Sequence, residues 1–356
     1  MHAFLAHFFI VNLPVGYLYS MDSLTHIALG ACIGEAFFER GFGKKAMLWG
    51  ALAQSIPDVD FIAAFWLSPA DNLLAHRGFT HSVLFALLII PAFALTADKI
   101  HRPHNISFRK WLLFFSAEVF THLFVDGFNN YGVGWFEPFS HARYSFNAIY
   151  VADPFFSIVP GIAALVLMCL HSHSAKRKWW WKLGIIVPLC YTGYCTINKL
   201  KMTADVKAIF AQQNIPHDRY FTTPAPLQNW LWFVVSGNDS GYYVGYRSVF
   251  DREKKMSFTY FPRNEQLLDT VRDHEDIIGL KRFSGQFYTI EKWSDTLVFN
   301  DLRFGQIIGW QDPKERFAFH YYIQYPAENK LVVQRGRFAK WDGTVVKNFL
   351  KRIKGN

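Results

Sequence analysis

Residues 121–132 read THLFVDGFNNYG and place a histidine and an aspartate within an otherwise apolar segment. His122 and Asp126 are four residues apart, so a helix would put both side chains on one face, about one turn apart. An imidazole and a carboxylate at this spacing can bind one metal ion jointly. The stretch therefore predicts a helix that carries two metal ligands near its end.

The segments on either side are apolar enough to predict a bundle of membrane helices. A helix needs ~20 mainly apolar residues to cross a bilayer, and several segments of the first 200 residues approach that length. The second and fourth are short or polar for such helices, and could be re-entrant or buried among the others. The six predicted helices lie at about 23–38, 45–67, 80–100, 110–127, 150–170 and 183–200.

Basic residues lie in three alternate connections between these segments. The positive-inside rule places such connections on the cytoplasmic side of the membrane. The loops at about 57–80 and 127–150 then face outward. The basic residues are Lys44, Lys45, Arg102, Arg109, Lys110, Lys176, Arg177, Lys178 and Lys182.

Charge and cysteine content narrow the class of protein. The net charge is +9, but residues 1–200 hold only 14 basic and 11 acidic side chains, whereas residues 201–356 hold 23 and 17. In the first part the basic residues flank apolar runs, which argues against nucleic acid as a partner. All four cysteines lie in apolar segments, so neither a disulfide framework nor a cysteine metal knuckle is indicated.

After Leu200 the pattern changes to that of a small β-rich domain. The runs Trp230–Ser236 and Tyr242–Phe250 flank a Gly-Asn-Asp-Ser-Gly turn and predict a β-hairpin. A domain of this length can be translocated whatever its charge, so we expect it on the outer side. Further strands are predicted at Gln286–Trp293, Thr296–Arg303, Phe317–Gln324 and Lys330–Gly336.

The N-terminal stretch is interpreted as a mis-assigned extension. Residues 1–20 are apolar and contain no Lys or Arg, so they lack the charged region of a signal peptide, and Met21 is a candidate start. The chain then divides into residues 1–20, a membrane-embedded helical domain at 21–200 and an extramembrane domain at 201–356. The predicted fold class is an α-helical multi-pass membrane bundle with a small C-terminal β-rich (α+β) soluble domain.

Ionisable side chains recur inside the apolar segments, where their burial is costly and therefore requires a reason. With the orientation given above, all of them lie near the outward ends of their helices and could converge on one site. Mixed imidazole and carboxylate ligands suit zinc, manganese or iron(II), and their number allows one ion or two. The eight residues are His26, Asp58, Asp60, His76, His81, His122, Asp126 and Asp153.

A divalent ion at such a site predicts hydrolysis of an ester or phosphoester bond by metal-activated water. Arg77 and Arg143 lie in the same outward loops and are candidates to hold an anionic group. Asp153 is the candidate base or orienting residue. The expected partners are membrane lipids and a small-molecule or lipid substrate, phospholipid-like compounds included.

Each of these residues also has a structural explanation. A lone histidine in an apolar helix, such as His26, more often hydrogen-bonds a neighbouring backbone group. Asp58, Asp60 and Asp153 lie beside prolines and can cap helices or shape turns. Two noncatalytic hypotheses therefore remain: a membrane scaffold or regulator whose β-rich domain binds a partner, and a transporter that relays protons.

Two other features of the first predicted helix concern packing and charge. Gly30 and Gly34 form a GxxxG motif, which would let a second helix approach closely at the level of His26. Glu35, together with Glu118 in the fourth segment, is an acid within an apolar run that has no evident partner in the sequence.

Several ordered motifs resemble those of the YdjM-like family of inner-membrane metal-dependent hydrolases. They are MDSLTHIALGACIGEAF at 21–37, IPDVD at 56–60, HRGFTHS at 76–82, THLFVDGFNNYG at 121–132, PFSHARYSFN at 138–147 and VADP at 151–154. The resemblance covers about residues 21–200 and implies a hydrolase of the cytoplasmic membrane. A LexA-binding label also attaches to that family. The metal ligands that the resemblance implies are His26, Asp58, Asp60, His76, His81, His122 and Asp126.

Overall fold

A computed structural model describes residues 21–271, 274–325, 329, 338 and 340–355. Helices occupy most of the chain up to Gln213, and antiparallel sheets follow. The interpreted extension at 1–20 and the predicted strand Lys330–Gly336 lie outside the described residues.

The helices of the first region largely follow the predicted apolar segments. One difference concerns the second segment, whose helix ends at Ser55 because Pro57 opens a 3-10 turn over Pro57–Phe65. Another concerns the sixth segment, which is part of a helix of 37 residues. The helices are α1 (Met21–Phe42), α2 (Lys44–Ser55), α3 (Pro69–Ala75), α4 (Val83–His101), α5 (Phe108–Asp126), α6 (Pro154–Cys169) and α7 (Arg177–Gln213).

The start of each of three helices is fixed by a capping side chain. The hydroxyl of Ser82 accepts the backbone N–H of Phe85 at 3.0 Å and so begins α4. Ser107 caps α5 in the same way, and the carboxylate of Asp153 caps α6. A side-chain acceptor satisfies an amide that the first turn leaves unpaired. These caps set where the helices start relative to the polar residues beside them.

The predicted GxxxG contact is confirmed. A Cβ on Gly30 would overlap the carbonyl oxygen of Gly50 in α2, and a Cβ on Gly34 would overlap that of Ala46. Only glycine lets the two backbones approach this closely. The contact holds the residues around His26 against the end of α2, from which the 3-10 turn begins.

Glu35 has a partner that the sequence did not indicate. Its carboxylate accepts two hydrogen bonds of 2.6 Å from the guanidinium of Arg177, and both side chains are buried. A third N–H of Arg177 donates to the carbonyl oxygen of Leu167 at 2.6 Å. This ion pair therefore joins α1, α6 and α7.

The connections that carry the basic residues lie together at one end of the bundle. The rings of Phe42, at the end of α1, and His101, at the end of α4, have centroids 4.7 Å apart. Gly43 lies beside Ser172 in the loop between α6 and α7. By length and composition, one helix of the described chain, Val83–His101, could cross a membrane; the apolar stretches Ser23–Phe38 and Pro154–Cys169 are shorter.

The C-terminal region contains two antiparallel sheets, ordered β1-β2-β3-β4 and β5-β6-β7. The predicted hairpin is confirmed, with Gly237 paired to Tyr242 across its turn. Two further helices, α8 (His274–Phe283) and α9 (Gly343–Ile353), belong to this region. The strands are β1 (Arg219–Pro224), β2 (Leu231–Gly237), β3 (Gly241–Ser248), β4 (Thr259–Pro262), β5 (Tyr288–Trp293), β6 (Thr296–Gln306) and β7 (Phe317–Tyr322).

Helix α7 joins the two regions. The boundary drawn between residues 200 and 201 lies inside this helix, which is ~55 Å long at 1.5 Å per residue. Its second half packs Val206 and Phe210 against Trp232 and Val234 of β2. One continuous helix thus belongs to both hydrophobic cores and fixes the sheets relative to the bundle.

We expect the buried Arg177–Glu35 pair to matter far more for stability than an exposed pair. Arg177→Met leaves an uncompensated carboxylate inside the bundle, which costs ~3–5 kcal/mol. The matched control Arg219→Met removes the pair that Arg219 makes with the exposed Asp239, and should cost less than ~1 kcal/mol. Thermal unfolding of both variants in detergent measures the difference. Equal losses would contradict this interpretation of Glu35.

Candidate metal centre

A cluster of polar residues lies at the end of the bundle opposite the basic connections. It is built from the first turns of α1, the 3-10 turn after α2, the segment before α4 and the last turn of α5. The sequence brings these together because α1 and α4 start at this end, whereas α2 and α5 finish there. The predicted topology placed the polar residues at one end of the bundle, and the residues of this cluster lie at one end in the structure.

Four side chains of the cluster could hold a metal ion: those of Asp58, His81, His122 and Asp126. Each offers one ligand atom, and the four atoms lie within 4.8 Å of one another. Nε2 of His81 lies 3.1 Å from Nε2 of His122 and 3.1 Å from Oδ2 of Asp126. Oδ1 of Asp58 lies 3.5 Å from Nε2 of His81 and 3.6 Å from Nε2 of His122.

The donor atoms fit one divalent cation. Ligands ~2.1 Å from a tetrahedrally bound ion are ~3.4 Å from one another, close to the separations found here. The two imidazole nitrogens face each other as well as the carboxylate oxygens, and a cation among them would satisfy all four. The chemistry of two imidazoles and two carboxylates suits zinc, manganese or iron(II) alike, so it leaves the identity of the metal open.

Burial and charge are uneven across the cluster. His81, His122 and Asp126 are buried, whereas the side chain of Asp58 is 22% exposed and marks the opening.

Burial opposes ionisation of Asp58, but the nearby His122 and the contact with His81 outweigh it and hold the pKa of Asp58 below its usual range. Burial likewise opposes protonation of His81, yet Asp126 and Asp58 raise the pKa of His81 to about 9. The cluster therefore attracts positive charge.

His26 lies beside the four residues and contacts two of them, Asp126 and His122, whose ring centroid is 3.9 Å from its own. Its Nε2 is 3.1 Å from Oδ1 of Asp126, and its Nδ1 is 3.2 Å from Oε1 of Gln54. In this arrangement His26 orients the carboxylate of Asp126.

Sequence reasoning missed two further members of the site, Ser23 and Gln54. The hydroxyl of Ser23 donates to Oδ2 of Asp58 at 3.1 Å. Gln54 is fully buried near the end of α2, where a polar residue in an apolar helix was itself a signal. Ser23 carries no such signal, since a serine in the first turn of a helix is unremarkable.

Asp60 and His76 form a second layer next to the four residues. Oδ2 of Asp60 lies 3.3 Å from Nδ1 of His76 and 3.6 Å from Nδ1 of His81, and it accepts the backbone N–H of Arg77 at 2.7 Å. Burial opposes ionisation of Asp60, but His76 outweighs it and lowers the pKa of Asp60. The side chain of His76 is 32% exposed, so this pair lies between the cluster and solvent.

Arg77 is held against the cluster in an unusual conformation. Its φ is 56°, in the left-handed region that a non-glycine residue adopts only when its surroundings compensate the strain. The side chain is buried, with Nε 3.2 Å from Oδ2 of Asp126. The backbone is fixed by Asp60 and by Gly134, whose N–H donates to the Arg77 carbonyl oxygen at 2.9 Å.

Two of the residues predicted to act on substrate have other contacts in the structure. The guanidinium of Arg143 donates to the backbone carbonyl oxygens of Leu74, His76 and Gly132, so it holds the loop around Arg77 instead of facing an anion. Asp153 caps α6 and accepts the hydroxyl of Tyr191 at 2.8 Å, outside the group of four. Burial raises the pKa of Asp153 to about 6.

Two known proteins are similar to parts of this chain. Inner membrane protein YbcI of Escherichia coli (strain K12) is 28% identical over 123 residues, which are 34% of this chain and 69% of YbcI. YfhP of Bacillus subtilis (strain 168) is 36% identical over 152 residues, 39% of this chain and 43% of YfhP. No solved structure matches the chain. The sequence model of the YdjM inner membrane proteins matches residues 21–202, and the chain therefore belongs to the YdjM inner membrane protein family.

Proposed function

We propose that this protein is a membrane-bound, metal-dependent hydrolase of ester or phosphoester bonds. The observation that carries the proposal is the convergence of Asp58, His81, His122 and Asp126, whose ligand atoms lie within 4.8 Å of one another. When bound, a divalent ion supplies Lewis-acid chemistry: it acidifies water and stabilises negative charge on oxygen. Zinc is the first candidate, with manganese or iron as alternatives.

The residues around the cluster have separable tasks in this proposal. His26 and Ser23 orient the carboxylates of Asp126 and Asp58. Asp60 faces Nδ1 of His76, which leaves Nε2 of His76 to exchange a proton with water or substrate. His76, at the opening, thus takes the role that the sequence assigned to Asp153. Arg77 adds positive charge beside Asp126, in keeping with an anionic substrate.

The level of the cluster relative to α4 supports a lipid-like substrate. His81 directly precedes Ser82, the residue that caps α4. Helix α4 is ~28 Å long, which is close to the thickness of the hydrocarbon core of a bilayer. If α4 crosses the membrane, the cluster lies at its boundary. The 3-10 turn buries Asp60 on its inner side and exposes a set of large apolar side chains. These are Phe61, Ile62 and Phe65, with Trp66 directly after the turn.

The membrane arrangement is part of the proposal. The basic connections lie at the end opposite the cluster, so the positive-inside rule puts them in the cytoplasm and the cluster on the outer side. Other helices, including the apolar stretches Ser23–Phe38 and Pro154–Cys169, would cross with α4 in a multi-pass bundle. The sheets lie at the cluster end and would share its outer location.

We expect the purified protein to contain tightly bound metal that depends on His122. His122→Ala removes one of the four ligands, which should weaken binding by more than the ~10–100-fold typical of supporting residues. His141→Ala is the matched control, because His141 is exposed and pairs with Glu137 outside the cluster. Elemental analysis and chelator competition measure both. Equal metal content in the two variants would rule out the assigned ligands.

A second prediction concerns the substrate. The exposed face of the 3-10 turn should favour a phosphoester presented in lipid vesicles over a soluble phosphodiester. Replacing Phe65 and Trp66 by serine should lower the ratio of vesicle to soluble activity by ~10-fold or more, because each apolar side chain contributes ~1.5–3 kcal/mol when buried. Leu350→Ser, on the exposed side of α9, is the control. A ratio that does not change excludes lipid entry along this face, and a metal-loaded protein that cleaves neither substrate favours the scaffold hypothesis.

A further inference from the structure

The C-terminal sheets pack directly onto the loop that follows the metal-binding end of α5. The side chain of Asn130 donates to the carbonyl oxygen of Arg303 in β6 at 2.7 Å. The ring of Tyr131 contacts that of Phe304, with centroids 4.7 Å apart. Both aromatic side chains are buried in a cluster that also contains Phe283. Residues ~170 positions apart in the chain thus form one interface.

Tyr131 also contacts the residues next to the cluster. The guanidinium carbon of Arg77 lies 5.3 Å from the centroid of the Tyr131 ring, within the range of a cation–π contact. The ring of His76 meets the same ring at right angles, with centroids 5.9 Å apart. Tyr131 therefore lies between β6 and the two residues that border the cluster.

Arg77 connects this interface to a ligand. Its Nε is 3.2 Å from Oδ2 of Asp126, the oxygen that also lies 3.1 Å from Nε2 of His81. Because its backbone is in the left-handed region, Arg77 keeps this position only while its neighbours hold it there. Phe304, Tyr131, Arg77 and Asp126 thus form an unbroken series of contacts from the sheet to the cluster.

We infer that the C-terminal sheets complete the metal centre, with Phe304 and Tyr131 as positioning residues that hold Arg77 against Asp126. The inference rests on the metal centre of the proposed function, although not on hydrolysis. It gives residues 201–356 a role in the site itself. Residues that support a metal ligand from outside commonly change metal affinity by ~10–100-fold when they are lost.

If Phe304 had only a structural role, its loss would affect metal binding no more than the loss of another buried phenylalanine of the sheets. A matched variant distinguishes a structural role from a positioning role. Phe221 in β1 is also a buried phenylalanine of the C-terminal sheets, but it packs against Phe233 and Phe287. Phe221→Ala and Phe304→Ala both open a cavity in the same region. Only Phe304→Ala removes the contact with Tyr131.

The experiment measures the Kd of the full-length protein in detergent for Zn²⁺, by competition with a chelating indicator. We expect Phe304→Ala to raise the Kd by ~10-fold or more, Tyr131→Leu to do the same, and Phe221→Ala to change it by less than ~2-fold. Thermal unfolding of each variant confirms that it is folded, and Tyr131→Leu carries the test if Phe304→Ala does not fold.

Equal Kd values for Phe304→Ala and Phe221→Ala would overturn the inference, and so would a wild-type protein that does not bind Zn²⁺. A wild-type protein that binds Zn²⁺ but cleaves no ester would instead contradict the hydrolase proposal alone. The two proposals therefore fail by different observations.

Discussion

The buried carboxylate of Asp126 is the constraint around which the site is organised. An ionised group without water must be compensated by partners of opposite charge or by hydrogen-bond donors. Asp126 is compensated from three directions, by His26 of α1 and by Arg77 and His81 of the segment before α4. Both segments must therefore meet the last turn of α5 at the same place, and the packing of the helices brings them there.

Close helix packing supplies that arrangement. The contact of Gly30 with Gly50 sets the depth at which α1 lies against α2, and with it the position of His26 relative to the 3-10 turn. Five residues further along α1, the buried Arg177–Glu35 pair ties this helix to α7. Because interiors are closely packed, these contacts in the middle of α1 leave little freedom for His26, one turn before Gly30.

The sheets are part of the same structure, and not an attached module. Helix α7 runs from the basic end of the bundle into the core under β2, and the side chain of Asn229 donates to the carbonyl oxygen of Ala148 at 2.6 Å. The loops that carry Arg77 and Tyr131 are held between the bundle and the sheets. A site on loops needs such support, since loops alone do not fix side chains to within a fraction of an ångström.

The sequence by itself determined most helices, the β-hairpin and the set of polar residues from which the site is built. Those features depend on local periodicity, turn residues and the cost of burying a charge, as the spacing of His122 and Asp126 illustrates. Only the tertiary structure decided that Arg143 binds backbone carbonyls, that Asp153 caps a helix outside the cluster, and that Glu35 pairs with a residue 142 positions away. The physical reason is that the type of a residue limits the partners with which its side chain can interact, whereas the tertiary fold decides which of those partners lie within reach.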